Sequence, residues 1–329
     1  MQLVTVTDLP PLGLLHGLDT AAKASEVDEI VHCAGCVDYF DAQQLHAANI
    51  ALTEGLLEAA RAWNARRFVY MSTAYCSGYR AGRIPERLHP EPREEDEPTE
   101  YTRTKRVAEW RVADSGLPFL IVRPSILIGH SQTGVYRGKN YGLYQLWRAI
   151  EGLLCREYSP VWHHVASRTK LNFLHSDAFE SGFANIYREI LPDAVVHLVS
   201  SHAKAPTTLE LCWMWAKVYW PQEIRCYASM DDVPLEGLPV RHRRFLQVVA
   251  KNLEIASHTW EFEARRLNAL RDTIGFDFAD TTLATLVSCQ RHYIAQSPRI
   301  QGHMKRYSSH LTPRLVEMVP SNAYVSQSI

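Results

Sequence analysis

The chain has 329 residues, 46% of them hydrophobic, which is ample for a large buried core. Its 35 basic and 36 acidic side chains leave a net charge of -1, so bulk electrostatics exclude nucleic acid or an anionic membrane surface as the expected partner. No apolar run is long enough for a transmembrane helix, no leader pattern follows Met1, and seven scattered cysteines frame no disulfide scaffold. The expectation is a globular enzyme of the cytoplasm.

In chain order, Glu29–His32, Arg67–Met71 and Phe119–Val122 are short runs rich in Val, Ile and Phe, the pattern of strands buried on both faces. Between the first two, Leu45, Ala48, Leu52, Leu56 and Ala59 recur at three or four residues and predict one amphipathic helix from Ala42 to Arg61. Strand, helix, strand implies right-handed crossovers and a parallel sheet, hence an α/β fold. Residues 85–100 are rich in Pro and acid and predict an exposed loop. A helix follows, capped by Thr99 or Glu100, with Tyr101, Lys105, Ala108 and Val112 on one face. Beyond residue 135, Gly134, Gly138 and Gly142 punctuate a Tyr-rich loop. A helix near 143–154 follows, then strand-like runs at Leu171–Leu174 and Val195–Ser200, and from residue 241 the pattern is mostly helical.

Reducing a carbonyl with a nicotinamide needs a proton donor beside the oxygen, a second hydrogen bond to that oxygen, and a cation that tunes the donor and grips the ribose. Tyr101 and Lys105, one helical turn apart, meet the first and third needs, the ammonium favouring the phenolate. Thr73, at the end of the strand Arg67–Met71, meets the second, where open α/β sheets hold their ligands. Tyr-x-x-x-Lys alone is a weak motif; the order strand, Ser-Thr, loop, Tyr-helix is what gives it weight.

At this point the blocks IVHCAGCVDYF, NIALT, FVYMSTAYCSGY, YTRTKRVAE and IVRPSILIG resemble, in order, the extended short-chain dehydrogenases/reductases. The nearest branch is the fatty acyl-CoA reductase and thioester reductase (male-sterility) type, over residues 4 to about 215. The resemblance implies a Rossmann-like doubly wound parallel sheet with a mostly helical C-terminal substrate domain. It divides the chain into a partial NAD(P)-binding domain at 1–135, a substrate-side segment at 136–240 with strands returning to the sheet, and a helical C-terminal region at 241–329. It also implies NADP(H), with NAD(H) the alternative, and an acyl-CoA or acyl-carrier substrate reduced to aldehyde or alcohol. By the same likeness Asp8 and Leu9 approach the adenine, and Cys33, Ala34 and Gly35 pass the pyrophosphate and ribose. Asn49 props up the active-site strand, Pro124, Ser125 and Ile126 line the nicotinamide, and Ser72 and Thr73 are the active-site hydroxyl pair.

The family's glycine-rich turn, G-x-x-G-x-x-G, finds no counterpart, since Gly13 and Gly17 follow the wrong strand. The matching therefore starts at the family's third strand, an N-terminally truncated sheet. The expected consequence is an apolar sheet edge covered by a homodimer or by a partner carrying the missing segment. A sugar-nucleotide epimerase or dehydratase, a hydroxysteroid-type dehydrogenase, and a non-catalytic relative without the cofactor turn are the alternatives. Cys33-Ala-Gly-Cys36 reads as a cofactor loop and not a redox or zinc motif. Gly129–Gly134 is one residue too long for a hydrolase elbow around Ser131. Arg241–Arg244 reads as a solvated helix face, with a coenzyme phosphate contact the sharper alternative, and no histidine spacing suggests a metal.

Overall fold

In the computed structural model, which describes residues 27–38, 41–80, 82–91, 97–165, 168–308 and 312–318, the expected strands and helices take their places. Strand β1 (Glu29–His32) leads to helix α1 (Ala42–His46), a π-helical segment (Ala47–Ala51) and helix α2 (Leu52–Ala62). Then come β2 (Arg67–Met71), β3 (Arg83–Ile84), α3 (Glu100–Ala113), β4 (Phe119–Pro124) and β5 (Ile126–Ile128). The substrate-side stretch adds α4 (Leu143–Gly152), β6 (Val161–Val165), β7 (Phe173–His175), α5 (Ser176–Glu189), β8 (Ala194–Leu198), α6 (Thr208–Tyr219) and β9 (Glu223–Tyr227). The remainder is α7 (Val240–Ala256), β10 (Glu261–Phe262), α8 (Arg265–Ile274), α9 (Leu283–Ala295), α10 (Pro298–Tyr307) and β11 (Arg314–Glu317).

The central sheet runs β1-β2-β4-β8, every neighbouring pair parallel. Alternation sorts its side chains to two packed faces: Phe68, Tyr70 and Ile121 meet α2 and α3, while Val69, Leu120, Val122 and Val196 join the core under α5 and α8. This is the doubly wound α/β arrangement expected from the strand-helix alternation. The sheet thus separates two cores, one on each face, with β1 the most exposed of its strands. Arg123, fully buried in β4, is the one charged side chain of these strands at zero exposure, and it is paired.

A second, smaller parallel sheet, β11-β9-β6, packs with α4, α6, α7, α9 and α10 around an aromatic core that includes Trp147, Trp162, Trp215 and Tyr219. The C-terminal stretch is mostly helical, but β10 returns to pair with β3 and α8 packs under the central sheet, so this stretch also builds the first half.

Two expectations need correction. The helix read as uninterrupted from Ala42 to Arg61 carries the π segment, and its apolar stripe slips there by one residue. Leu45 and Ala48 are buried as expected, but further on Thr53, Leu57 and Ala60 are buried in place of Leu52, Leu56 and Ala59. The loop at 85–100 is not exposed at both ends, because His89 and Glu97 are drawn inward by the arginines of neighbouring elements.

Candidate functional site

The site forms where β1, β2 and β4 end, at the carboxyl edge where an open parallel sheet leaves a crevice. Helix α3 reaches that edge because its start is well defined. Thr99 caps it, its hydroxyl accepting from the Thr102 amide at 3.2 Å while the Thr102 hydroxyl accepts from the Thr99 amide at 3.1 Å. Tyr101 and Lys105 then lie one turn apart on the face toward the β1 and β2 ends.

Lys105 is buried. Its Nζ donates to the Met71 carbonyl at 2.6 Å and sits 4.2 Å from the centre of the Tyr70 ring. Burial pulls the ammonium down to about 8, against the opposing pull of Glu109. Because Met71 precedes Ser72, this bond ties the cation to the strand end carrying the Ser72–Thr73 pair. The Ser72 amide donates to Val122 O at 2.8 Å, which locks that end to β4. The Thr73 hydroxyl accepts from the Tyr75 amide at 3.4 Å, capping a short 3-10 turn.

Asn49 is fully buried on the π segment and does the bridging. Its Oδ1 accepts from the Cys36 amide at 2.9 Å, and its Nδ2 donates to Cys36 O and to Thr104 Oγ1, both at 3.0 Å. The Thr104 hydroxyl donates in turn to the Tyr101 carbonyl at 2.9 Å. One amide side chain therefore fixes the loop after β1 against the first turn of the Tyr101 helix. Tyr101 itself packs on Cys36, Leu45 and Ala48.

In that loop Cys33, Ala34 and Gly35 are exposed. A Cβ on Gly35 would stand 2.9 Å from Asn49 Oδ1 and 3.9 Å from Lys105 Nζ, so any side chain would press into the space over the lysine. Pro124 and Ser125 are buried at the end of β4. The Ser125 amide donates to Leu198 O at 3.2 Å, while its hydroxyl has no partner among the described residues. Ile126 is half-buried. Asp8 and Leu9 lie outside the described residues. The structure thus ties together Gly35, Asn49, Ser72, Tyr101 and Lys105, with Thr73 adjoining Ser72, whereas Pro124–Ile126 join the cluster only through the sheet.

Sequence reasoning missed the support beneath. Glu109 and Arg123 form a buried ion pair, with Nε to Oε1 at 2.8 Å and Nη2 to Oε2 at 2.5 Å. Arg123 also donates to Arg87 O at 3.0 Å and meets His89 Nε2 at 2.9 Å. The Cys76 thiol donates to Glu109 at 3.2 Å and receives Ser72 Oγ at 3.7 Å, linking the pair to the hydroxyl-bearing strand end. A second buried pair, Arg106 with Glu97, anchors the far end of the Pro-rich loop to α3. The signal was present: an arginine inside the apolar run FLIVRPSILI demands a buried acid. Ser131 donates to Asp177 at 2.6 Å and not to a histidine, so the Gly129–Gly134 loop is a structural turn.

Beyond Ile126 lies an apolar cavity of about 110 Å³ between α4, α6 and α7. Gly142 borders it, next to Tyr141, whose phenol is pushed up by burial and by the carboxylate of Asp38, two residues past Cys36. Gly142 thus marks the side of the cavity from which the chain runs, through Tyr141, toward the loop that Asn49 holds.

No group of three or more histidine, cysteine, aspartate or glutamate side chains among the described residues is arranged to hold a metal, and no helix among them is long and apolar enough to cross a membrane. No curated protein matches the sequence. The terminal R domain of a myxalamid PKS-NRPS pathway superposes with a TM-score of 0.64 at 20% identity, covering 84% of this chain and 71% of that one. An archaeal thiolation-reductase di-domain gives 0.63 at 17%, covering 85% of this chain and 60% of its own length. A UDP-glucuronic acid 4-epimerase from Bacillus cereus in complex with NAD gives 0.54 at 17%, covering 86% and 77%. These likenesses show the fold. The family described as male sterility protein matches residues 8–174, more than half of the chain. The chain belongs to the male sterility protein family, whose model is that of an NAD-binding domain.

Proposed function

We propose that this chain reduces an acyl thioester, carried by coenzyme A or by a carrier arm, to the aldehyde or alcohol, with NADP(H) as the reductant. The residues present fit the cofactor: the Gly35 backbone leaves open the space over Lys105, and Ser125 holds a buried hydroxyl without a partner among the described residues. Gly35, Lys105 and Ser125 would hold its ribose and nicotinamide ends. The nicotinamide, when bound, supplies hydride to the carbonyl carbon.

The chain's own residues handle the oxygen. Tyr101 gives its phenolic proton to the carbonyl oxygen as charge develops there. Thr73, whose hydroxyl accepts from the Tyr75 amide, can turn its own proton toward the same oxygen. Lys105 places a positive charge beside the phenol and favours its deprotonated product. Asn49 and Thr104 keep the Tyr101 turn in register with the loop after β1. After the first reduction, collapse of the hemithioacetal breaks the C–S bond and releases the thiol, and a second round gives the alcohol.

The observation that carries this reading is the Lys105 bond to Met71 O, which draws the Tyr101 helix onto the strand end bearing Ser72 and Thr73. The apolar cavity past Ile126 supports an acyl substrate over a nucleotide sugar, whose hydroxyls would need polar walls. The test is calorimetric titration with NADPH, followed by NADPH oxidation with acyl-CoA and acyl-pantetheine. Micromolar binding weakened by Lys105→Ala is expected, and Tyr101→Phe should lower kcat by about 10²- to 10⁴-fold while still binding NADPH. A folded protein that binds no NADPH would overturn the reading.

A further inference from the structure

The arginine run that opens α7 takes no part in the site, and the structure sets it beside other cations. A 3-10 turn, Leu154–Arg156, follows α4, and both α7 and α10 pack against it. Cations from three elements surround residues 155–158. Burial and then Glu151 push the Cys155 thiol up to about 12, while Arg299 of α10 pulls against them. Arg156 is exposed, and Arg241 Nε lies 3.8 Å from Glu157 Oε2. The Tyr158 ring stacks at 4.5 Å on Tyr307, over which the Arg306 guanidinium sits at 5.9 Å. Arg244, Arg299, Lys305 and Arg306 are exposed as well.

These charges are left almost without counter-charges. Glu157 is the one carboxylate among the described residues that pairs with any of them, and both oxygens of Glu151 are taken by Tyr293 and Ser297. From Thr281 to Val316 the chain has no aspartate or glutamate and five basic residues, although its net charge is -1. On other faces Arg66 is paired with Asp28, Arg111 with Glu54 and Arg265 with Glu263. Helix stability does not account for the arrangement. The first turns of α7 and α10 hold no acid, where the positive end of a helix favours one, and carry Arg241, Arg243 and Arg299 instead. The result is a face of one sign, which an anionic surface would relieve.

We propose that this face docks an acidic carrier protein, which delivers the acyl thioester on its prosthetic arm. That the partner is a carrier rests on the thioester reading above; that its docking surface is acidic rests on the cations alone. A polar groove leads from the face toward the site. Tyr136, Asn140, Tyr144, Arg148, Gln296 and Ser297 line it, and between Tyr144 and Glu151 it follows α4 for about 10 Å. Ser297, bonded to Glu151, stands two residues before Arg299 at one end. Asn140 at the other end precedes Tyr141, which feels the charge of Asp38 beyond the Cys36 loop. Polar walls suit an arm that carries amide groups. Charge complementarity of this kind speeds encounter and selects the partner more than it tightens the complex, which suits a carrier that must leave after delivery.

The test is fluorescence anisotropy of the full chain, without cofactor, against labelled acyl and peptidyl carrier proteins of acidic surface in their apo form, which has no arm. At least one should bind with a micromolar Kd that rises tenfold or more between about 50 and about 300 mM salt. Joint Arg156→Glu and Arg299→Glu exchange should weaken binding at least tenfold, whereas Arg188→Glu on α5 should change it less than twofold. An acid in the first turn of α10 suits the helix dipole, so Arg299→Glu should unfold in urea no earlier than the parent. Joint Arg241→Gln and Arg244→Gln exchange is the second variant if the first fails to fold. Phosphatidylglycerol vesicles and a single-stranded RNA are the competing probes. No binding of any apo carrier, binding unmoved by both variants, or vesicles or RNA bound more tightly than every carrier would overturn the proposal. Acyl-CoA turnover without carrier docking would leave the reductase reading standing, and docking without NADPH binding would remove that reading and leave the acidic-protein face.

Discussion

The two halves of the molecule hold themselves together differently. Around the sheet edge the structure relies on buried charge and polar bridges: Glu109 with Arg123, Glu97 with Arg106, and Asn49 between the Cys36 backbone and Thr104. In the lobe around the second sheet, among the described residues, the ion pairs Arg225–Glu223, Arg241–Glu157 and Lys251–Glu254 all lie toward the surface. The interior there is ring on ring, such as Tyr144 on Tyr136 at 3.8 Å and Tyr219 on His303 at 5.0 Å. Buried charge tolerates one geometry only, whereas ring packing is satisfied by several. The difference suits the proposed division of labour, a geometrically fixed edge for proton transfer joined to a pocket held by looser ring packing.

Acid should have the largest effect, and on both halves, since burial also holds His32 and His197 of the central sheet down to about 3. Burial holds His163, His164 and His242 down to about 4, so each stays neutral in the folded chain. The unfolded chain takes up protons first, near 6.5. Stability is therefore full above that pH and is lost as pH falls from 6.5 toward 4, by up to about 1.4 kcal/mol per unit for each histidine. Urea midpoints at pH 7.5 and pH 5.0 measure this, with a shallower loss expected for His242→Phe. A midpoint independent of pH over that range would count against the buried neutral histidines.

The sheet edge should fail next, when its charge pairing is cut. Glu109→Ala leaves Arg123 buried and unpaired and should cost about 3–5 kcal/mol in urea unfolding, while a joint Glu109→Gln, Arg123→Met exchange should recover much of it. Asn49→Ala strands the Cys36 amide and carbonyl, a loss of about 1–3 kcal/mol. It should also raise the Kd for NADPH, which calorimetry reads separately from stability. The smallest effect is at the cap: Thr99→Ala should cost about 1 kcal/mol, and Thr99→Ser should restore most of it.

Much of the sheet half was legible in the sequence because its elements obey local rules. Glu29–His32 and Arg67–Met71 are strands to the residue, and Thr99 caps the helix that carries Tyr101 and Lys105. What could not be read depended on pairing across the chain. Arg123 finds Glu109 only once β4 lies beside α3, and the cavity exists only where α4, α6 and α7 converge. The expected strand Leu171–Leu174 begins later, at Phe173, because Asn172 is taken by Tyr75 and by the Ser200 backbone. The one-residue slip in the first helix has the same origin, since periodicity cannot announce an insertion that tertiary contacts pay for.

That slip is also a statement about length. The π segment holds one residue more than a regular helix needs, so removing one from Ala47–Ala51 would let the chain close into a regular helix with Leu57 and Ala60 still on the core face. What such a deletion disturbs is local: Asn49, which the segment carries against the Cys36 loop. Length across this helix can therefore change by one residue without a change of fold, and the test of such a change is whether the Cys36 loop keeps its anchor.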